Sequence, residues 1–501
     1  MTLLLPSLQA ERIRRSIVDY LSTTFALTDA EPRRVLTDFL EDEKQGVFVG
    51  PFVRLRLPYL AASARPGTTD PAYPADRPLD WDPGLTPYQH QEDSYRRLTT
   101  KGGHRPEPTI VTTGTGSGKT ESFLHPVLDH VLRARAQGVT GIKALILYPM
   151  NALASDQASR LASLITKNPA LAGVRAAIYT GDSSASPRKH VTADSLITDR
   201  YVIRDNPPDI LLTNYKMLDQ LLLRPEDREL WRASAGSLTY LVLDEFHTYD
   251  GAQGTDVAML LRRLGLTLRA HLSADDPRRE AFASAPLGPV CPVATSATLG
   301  DGGDPSQMLA FARDVFGTDL PTSAVVTETR ADLDQWAATH RQVAESKGLA
   351  GRALRLRSLT GENLQALARL AEAGSPHPEE LLRDVVTHLY DLPEEVEDTL
   401  DAAGLASALQ AHPDVLDLVR AAEHSTSLAA LARNLLGPVP ESGLARRALS
   451  AILAALSVVR AGLDGKPDRS AVNVEVTLWI REVTRVDRTL SSLPSFRWAD
   501  A

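Results

Sequence analysis

Thr113-Gly114-Thr115-Gly116-Ser117-Gly118-Lys119-Thr120 follows the apolar run Thr109-Ile110-Val111-Thr112 and leads into a stretch that reads as a helix. Glycines at this spacing let the backbone wrap closely around phosphate oxygens, and a helix N-terminus adds the positive end of its dipole. Gly114, Thr115, Gly116, Ser117 and Gly118 would form the cradle. Lys119 would neutralise the β- and γ-phosphates of ATP, and the Thr120 hydroxyl would hold Mg2+. The strict pattern has glycine at the first position, where this chain has Thr113.

Two further motifs lie downstream. The run Leu241-Val242-Leu243 ends in Asp244-Glu245-Phe246-His247. A carboxylate at a strand end reaches the metal of a neighbouring phosphate cradle, which assigns Asp244 to Mg2+. Glu245, one residue on, would polarise the attacking water as general base. Ser296-Ala297-Thr298 closes the set. His247 would couple the nucleotide to Ser296 and Thr298, or else cap a turn. Upstream, Gln91 could read adenine through its paired donor and acceptor, with Tyr88 stacking on the base. Gln89 is the rival, and a solvated glutamine at a helix start is the plainer reading.

Working outward, strand candidates recur at Thr109–Thr113, Ala144–Tyr148, Ala176–Tyr179, Ile210–Thr213, Tyr240–Asp244 and Val290–Thr295, with helical runs between several of them. Continuous apolar strands alternating with helices predict an α/β fold, a parallel sheet with helices on both faces. Ligands of such sheets bind outside the carboxyl ends of the strands, where all three motifs fall. Residues 1–61 read as a helical N-terminal region, 62–84 as a Pro- and Asp-rich linker, and 85–328 as the nucleotide-binding domain. Residues 329–470 shift to Ala, Leu, Arg and Glu and read as all-helical, with Ala445-Arg446-Arg447 on a solvated face. Residues 471–501 read as the strand-like start of a next domain.

Composition sets limits. The chain has 501 residues, a net charge of −9 and one cysteine, Cys291, in an apolar run. No internal disulfide or multi-cysteine metal site can form, and Cys291 reads as a buried strand thiol. A generally basic nucleic-acid coat is excluded, so any strand contact must come from a local groove and backbone amides. No stretch approaches the roughly 18 apolar residues of a membrane span. A cytoplasmic protein with no membrane partner is expected.

These motifs resemble superfamily 2 helicases of the DEAD/DEAH-box type, over roughly residues 85–325. The resemblance implies a RecA-like P-loop domain and makes Thr113–Thr120, Asp244–His247 and Ser296–Thr298 motifs I to III, with Gln91 as the Q motif. Residues 148–157 and 244–251 are similar to large bacterial helicases related to the Lhr and Mrf repair helicases, a branch that also has relatives in phage defence. The resemblance implies that Pro149, Met150, Asn151, Thr180, Gly181, Thr213 and Asn214 lie against the phosphodiester backbone of the tracking strand. It also implies a second RecA-like domain whose arginines reach the γ-phosphate. No Gln-x-x-Gly-Arg-like segment follows residue 300. The expectation is the first motor domain of an ATP-dependent helicase or translocase on nucleic acid, DNA favoured. Its second domain would lie beyond residue 501 or in a partner subunit. The alternatives are an ATP-sensing regulatory or scaffold subunit and an RNA helicase.

Overall fold

Short β-branched and aliphatic runs that bury both their faces must pair side by side, and in the computed structural model they do so in parallel. The structure describes residues 5–24, 28–42, 45–62, 77–81, 86–114, 116–181, 187–297, 304–372, 377–392, 400–437, 442–463, 466–482, 486–489 and 494–498. The chain divides into two units, Met1–Tyr59 with Arg330–Ala501, and Leu60–Thr329. The first strand, β1 (Phe48–Arg56), belongs to the former. The latter holds β2 (Thr109–Thr112), β3 (Ala144–Tyr148), β4 (Ala176–Tyr179), β5 (Ile210–Asn214), β6 (Tyr240–Leu243), β7 (Cys291–Ser296) and β8 (Val325–Thr327).

These seven strands form one parallel sheet in the order β4-β5-β3-β6-β7-β2-β8. Alternate side chains enter two separate cores. Leu145, Leu147, Leu211, Leu241 and Leu243 pack on one face. Ala144, Ile146, Tyr148, Leu212 and Val242 pack on the other. The sheet is therefore covered by helices on both faces, as its sequence pattern requires. The helix Lys119–Ala136 buries Phe123, Val127, Leu128 and Val131 completely. Cys291 is buried in β7, and desolvation pushes its thiol well up.

At the amino ends of the strands a buried carboxylate ties three of them together. Asp209 accepts from Lys143 Nζ at 2.8 Å, Arg135 at 2.9 Å and the Arg175 amide at 2.8 Å. The opposite, carboxyl ends carry the motifs.

The other unit groups segments that the sequence reading kept apart. The strand β9 (Thr426–Ser427) and the strand β10 (Asn473–Ile480) flank β1 antiparallel, with Phe48 opposite Ile480 and Arg56 opposite Asn473. A hairpin of β11 (Val486–Thr489) and β12 (Ser495–Trp498) follows. Asn473–Ile480 thus joins a sheet begun by β1, where the sequence reading had it start a next domain. The helix Ser442–Ala461 runs through this unit's core, with Leu449, Ile452, Leu453 and Leu456 at most 1% exposed. Arg446 and Arg447 are not on a solvated face. They pair with Glu11 at 2.9 Å and Glu372 at 3.0 Å, partners far away in sequence. Of the expected linker, residues 77–81 are anchored: the Asp80 and Trp81 amides donate to Asp129, and Trp81 is buried. Residues 63–76 and 82–85 lie outside the described residues. Among the described residues, no helix is long and apolar enough to cross a membrane.

Candidate active site

The loop after β2 turns on two left-handed glycines, Gly116 (φ 75°) and Gly118 (φ 78°), before the helix opens at Lys119. A side chain at Gly118 would collide with Gln91 Nε2 at 2.3 Å. Thr113 and Ser117 join their hydroxyls across the loop at 2.6 Å. Thr115 lies outside the described residues. Lys119 is 11% exposed at its side chain, and its ammonium makes no hydrogen bond among the described residues. A buried ammonium at the end of a glycine-rich loop that opens a helix fits a nucleotide phosphate. Its nearest anion is Glu245 Oε1, at 3.5 Å.

Glu245 is the one non-glycine residue with positive φ among the described residues (φ 50°, ψ 50°). Such backbone strain persists only where neighbours enforce it. Here the Glu245 amide donates to Thr295 Oγ1 at 3.3 Å, and its carbonyl accepts from the Thr248 amide at 2.8 Å and hydroxyl at 2.7 Å. The turn aims one carboxylate oxygen at Lys119 and sets the other 3.6 Å from His247 Nδ1. His247 Nδ1 in turn lies 3.2 Å from Ser296 Oγ. The Ser296 carbonyl accepts from the Thr113 amide at 3.3 Å, which closes a path from the acidic turn to the phosphate loop. Thr298 lies outside the described residues.

Asp244 is buried and accepts a short hydrogen bond from the Thr295 hydroxyl. Burial first of all pushes its carboxyl above the usual range. A raised folded-state value means that the ionised form is the disfavoured one. The stability cost is absent below the ordinary carboxylate range and is reached as pH rises through the raised value. Asp244→Asn should therefore raise the melting temperature at neutral pH in metal- and nucleotide-free buffer, and the gap from wild type should close as the buffer is made acidic. A variant less stable than wild type at pH 7 would sink this account. Thr295 escaped the sequence reading because only the pairing of β6 with β7 brings it beside Asp244.

Glu328 also escaped it. β8 pairs with β2, Thr327 opposite Thr112, so the next residue reaches the loop: Glu328 Oε2 accepts from the Gly114 amide at 2.9 Å. The short β-branched run Val325-Val326-Thr327 was its available signal.

The upstream residues hold the cradle from behind. Gln91 Oε1 accepts from the Tyr88 amide at 2.9 Å, and Gln91 Nε2 donates to the Gly118 carbonyl at 3.2 Å. His90 Nε2 lies 2.9 Å from the Ser117 carbonyl. The Tyr88 ring is buried and stacked on His90, and Gln89 donates to Asp93 instead. Gln91 thus touches the phosphate loop, whereas Gln89 does not reach it through this bond.

The remaining loops sit at the ends of β3, β4 and β5 and are linked to one another. Asn214 Nδ2 donates to Asn151 Oδ1 at 2.6 Å, and Thr213 Oγ1 to the Tyr179 carbonyl at 2.6 Å. Thr213 is fully buried, while Met150 is 63% exposed and Gly181 is exposed. Pro149 and Thr180 are half-buried beside them.

Comparison with known proteins agrees with this layout. Residues 88–300 match the DEAD/DEAH box helicase family. Druantia protein DruE of Escherichia coli (strain UMEA 4076-1) is 27% identical over 333 residues, 48% of this chain and 17% of that protein. ATP-dependent helicase hrq1 of Schizosaccharomyces pombe is 30% identical over 177 residues, 35% of this chain and 14% of that protein. The chain thus spans under a fifth of the length of these two relatives, 17% and 14%. The crystal structure of the DUF1998 helicase MrfA bound to DNA aligns with a TM-score of 0.38 at 22% identity, over 58% of this chain and 37% of that one. By that family match, residues 88–300 form a DEAD/DEAH box helicase domain.

Proposed function

We propose that this chain is the first motor domain of an ATP-dependent helicase or translocase on nucleic acid, with DNA as the strand. The observation that carries the reading is the Lys119–Glu245 pair at 3.5 Å, an ammonium and a carboxylate aimed at each other across a glycine-built cradle. Bound ATP supplies the phosphoryl group, and its Mg2+ offsets charge on the phosphate oxygens. Lys119 leaves Glu245 for the β- and γ-phosphates. Thr120 and Asp244 would hold the metal. Glu245, released from Lys119, orients a water molecule and takes its proton. His247 and Ser296 carry the change to the phosphate loop through Thr113.

Gln91 acts on the nucleotide by holding the Gly118 carbonyl of the loop, with the buried Tyr88 behind it. Pro149, Met150, Asn151, Thr180, Gly181, Thr213 and Asn214 form the strand-binding rim, with Thr213 acting from below through Tyr179. An arginine from a second RecA-like domain completes the site from across the cleft, in the same polypeptide or a partner. DNA is preferred to RNA on the likeness of residues 148–157 and 244–251 to the Lhr and Mrf branch.

The test is ATP hydrolysis by the full chain with and without single-stranded DNA and RNA. Stimulation by DNA supports the reading; stimulation by RNA alone replaces the substrate. Nucleotide binding with negligible turnover under any strand would mean half a motor and direct the search to the second domain; no nucleotide binding would overturn the reading. Glu328 should matter for binding. Glu328→Ala removes a charge-assisted bond to the loop, worth roughly 1.5 kcal/mol, and should weaken nucleotide about tenfold. Glu328→Gln keeps an acceptor and should lose much less. Titration with a fluorescent nucleotide decides; equal affinity in all three chains would remove Glu328 from the site.

A further inference from the structure

We propose that Tyr201 is a base-stacking platform for single-stranded nucleic acid, extending the strand path past the edge of the sheet. The inference rests on the reading of the loops at 149–151, 180–181 and 213–214 as the strand-binding rim, and it names a contact which that reading does not contain.

β4 is the edge strand of the sheet. Just beyond it, the short helix Arg200–Asp205 is pinned to its end. Arg200 donates to the Thr180 carbonyl at 3.2 Å, and its guanidinium lies over the Tyr179 ring at 5.1 Å. Asp199 Oδ1 accepts from the Tyr201 amide at 2.9 Å and the Val202 amide at 3.2 Å. The backbone of Tyr201 is thus held from two sides, yet its side chain is 81% exposed, the most of any large apolar or aromatic residue among those described. A tyrosine ring on a fixed backbone presents a flat π-face at low entropic cost.

Its surroundings suit a strand. A cavity of about 580 Å³ lies beside the ring, lined by Thr180, Arg200, and Ser155 and Ser159 of the helix Asn151–Lys167. Hydroxyls and a guanidinium at loop ends are the groups that grip phosphates and sugars. Arg188, followed by Lys189, is exposed and tied to the same turn, its carbonyl accepting from the Thr198 and Asp199 amides at 2.9 and 3.0 Å. Two carboxylates also line the cavity, and both are engaged: Asp194 accepts from Thr192 Oγ1 at 2.9 Å, and Asp199 from the Tyr201 and Val202 amides. The path is continuous with the rim: Tyr201 adjoins Arg200, Arg200 holds Thr180, and Thr213 holds Tyr179. Duplex bases are already stacked, so only an unpaired strand can lay a base on this ring.

Fluorescence anisotropy with the full chain tests this, using labelled oligothymidylate and an abasic strand of equal length. Tyr201→Ala should bind the base-bearing strand roughly tenfold more weakly, while Tyr201→Phe and Tyr201→Trp stay within about threefold of wild type. On the abasic strand all four chains should bind alike. The salt dependence should be unchanged by Tyr201→Ala, since no phosphate contact is lost. The proposal is overturned if Tyr201→Ala binds oligothymidylate like wild type, which would leave the ring to a protein partner. It is also overturned if the substitution weakens both strands equally. Failure of the wild-type chain to bind either strand would instead bring down the strand-binding reading itself, and this contact with it.

Discussion

Glu245→Gln should lower ATP hydrolysis by at least about a hundredfold while leaving nucleotide binding intact, the expected cost of removing a general base. The turn should survive, because Thr295 and Thr248 hold the backbone of residue 245 and not its side chain. Affinity for ATP should hold or rise slightly. In wild type Lys119 must give up an anion 3.5 Å away before it meets phosphate, and a neutral glutamine removes that competition. Single-turnover phosphate release beside a nucleotide titration separates the two effects. Turnover within about threefold of wild type would mean that the base lies elsewhere. Loss of binding together with turnover would mean that Glu245 builds the site and does not act in it.

The second large effect is on stability, at the opposite end of the sheet. Asp209→Ala should destabilise the unit Leu60–Thr329 by about 3–5 kcal/mol. The side chains of Asp209 and Lys143 are 4% and 2% exposed. Removing the carboxylate leaves a buried ammonium without its anion and the Arg175 amide without its acceptor. Because Asp209, Lys143 and Arg175 precede β5, β3 and β4, the damage enters through strand pairing, far from the phosphate loop. Denaturant titration of the full chain reads it. Adding Lys143→Met to Asp209→Ala should recover part of the loss, since the uncompensated charge then disappears. A double variant no more stable than Asp209→Ala alone would show that the buried charge is not the cause.

The geometry of the glycine loop was legible because its requirements are local. Glycines at 116 and 118 permit left-handed backbone, Lys119 and Thr120 open a helix, and β2 is a four-residue apolar run; all lie within a few residues of one another. The placement of Asp244 and Glu245 was legible for the same reason, at the end of an apolar strand. The parallel sheet followed from alternation of strand and helix. Sequence could not say that Glu245 would be strained, because that strain is enforced by Thr295 from β7, fifty residues away.

Arg446 and Arg447 show the same limit from the other side. Nothing beside them on their own helix marks Glu11 and Glu372 as partners, so local pattern placed them in water. Residues 471–480 carry strand alternation, but that alternation is silent on which strand it will meet. Only the folded chain brings Asn473–Ile480 to β1, more than four hundred residues earlier. The sequence by itself determined which backbone turns and strand periods are permitted, and with them the shape of the glycine loop and the strand ends beside it. The tertiary structure decided register, strand order and the partners of buried charges, because those depend on surfaces that exist only after distant segments have packed.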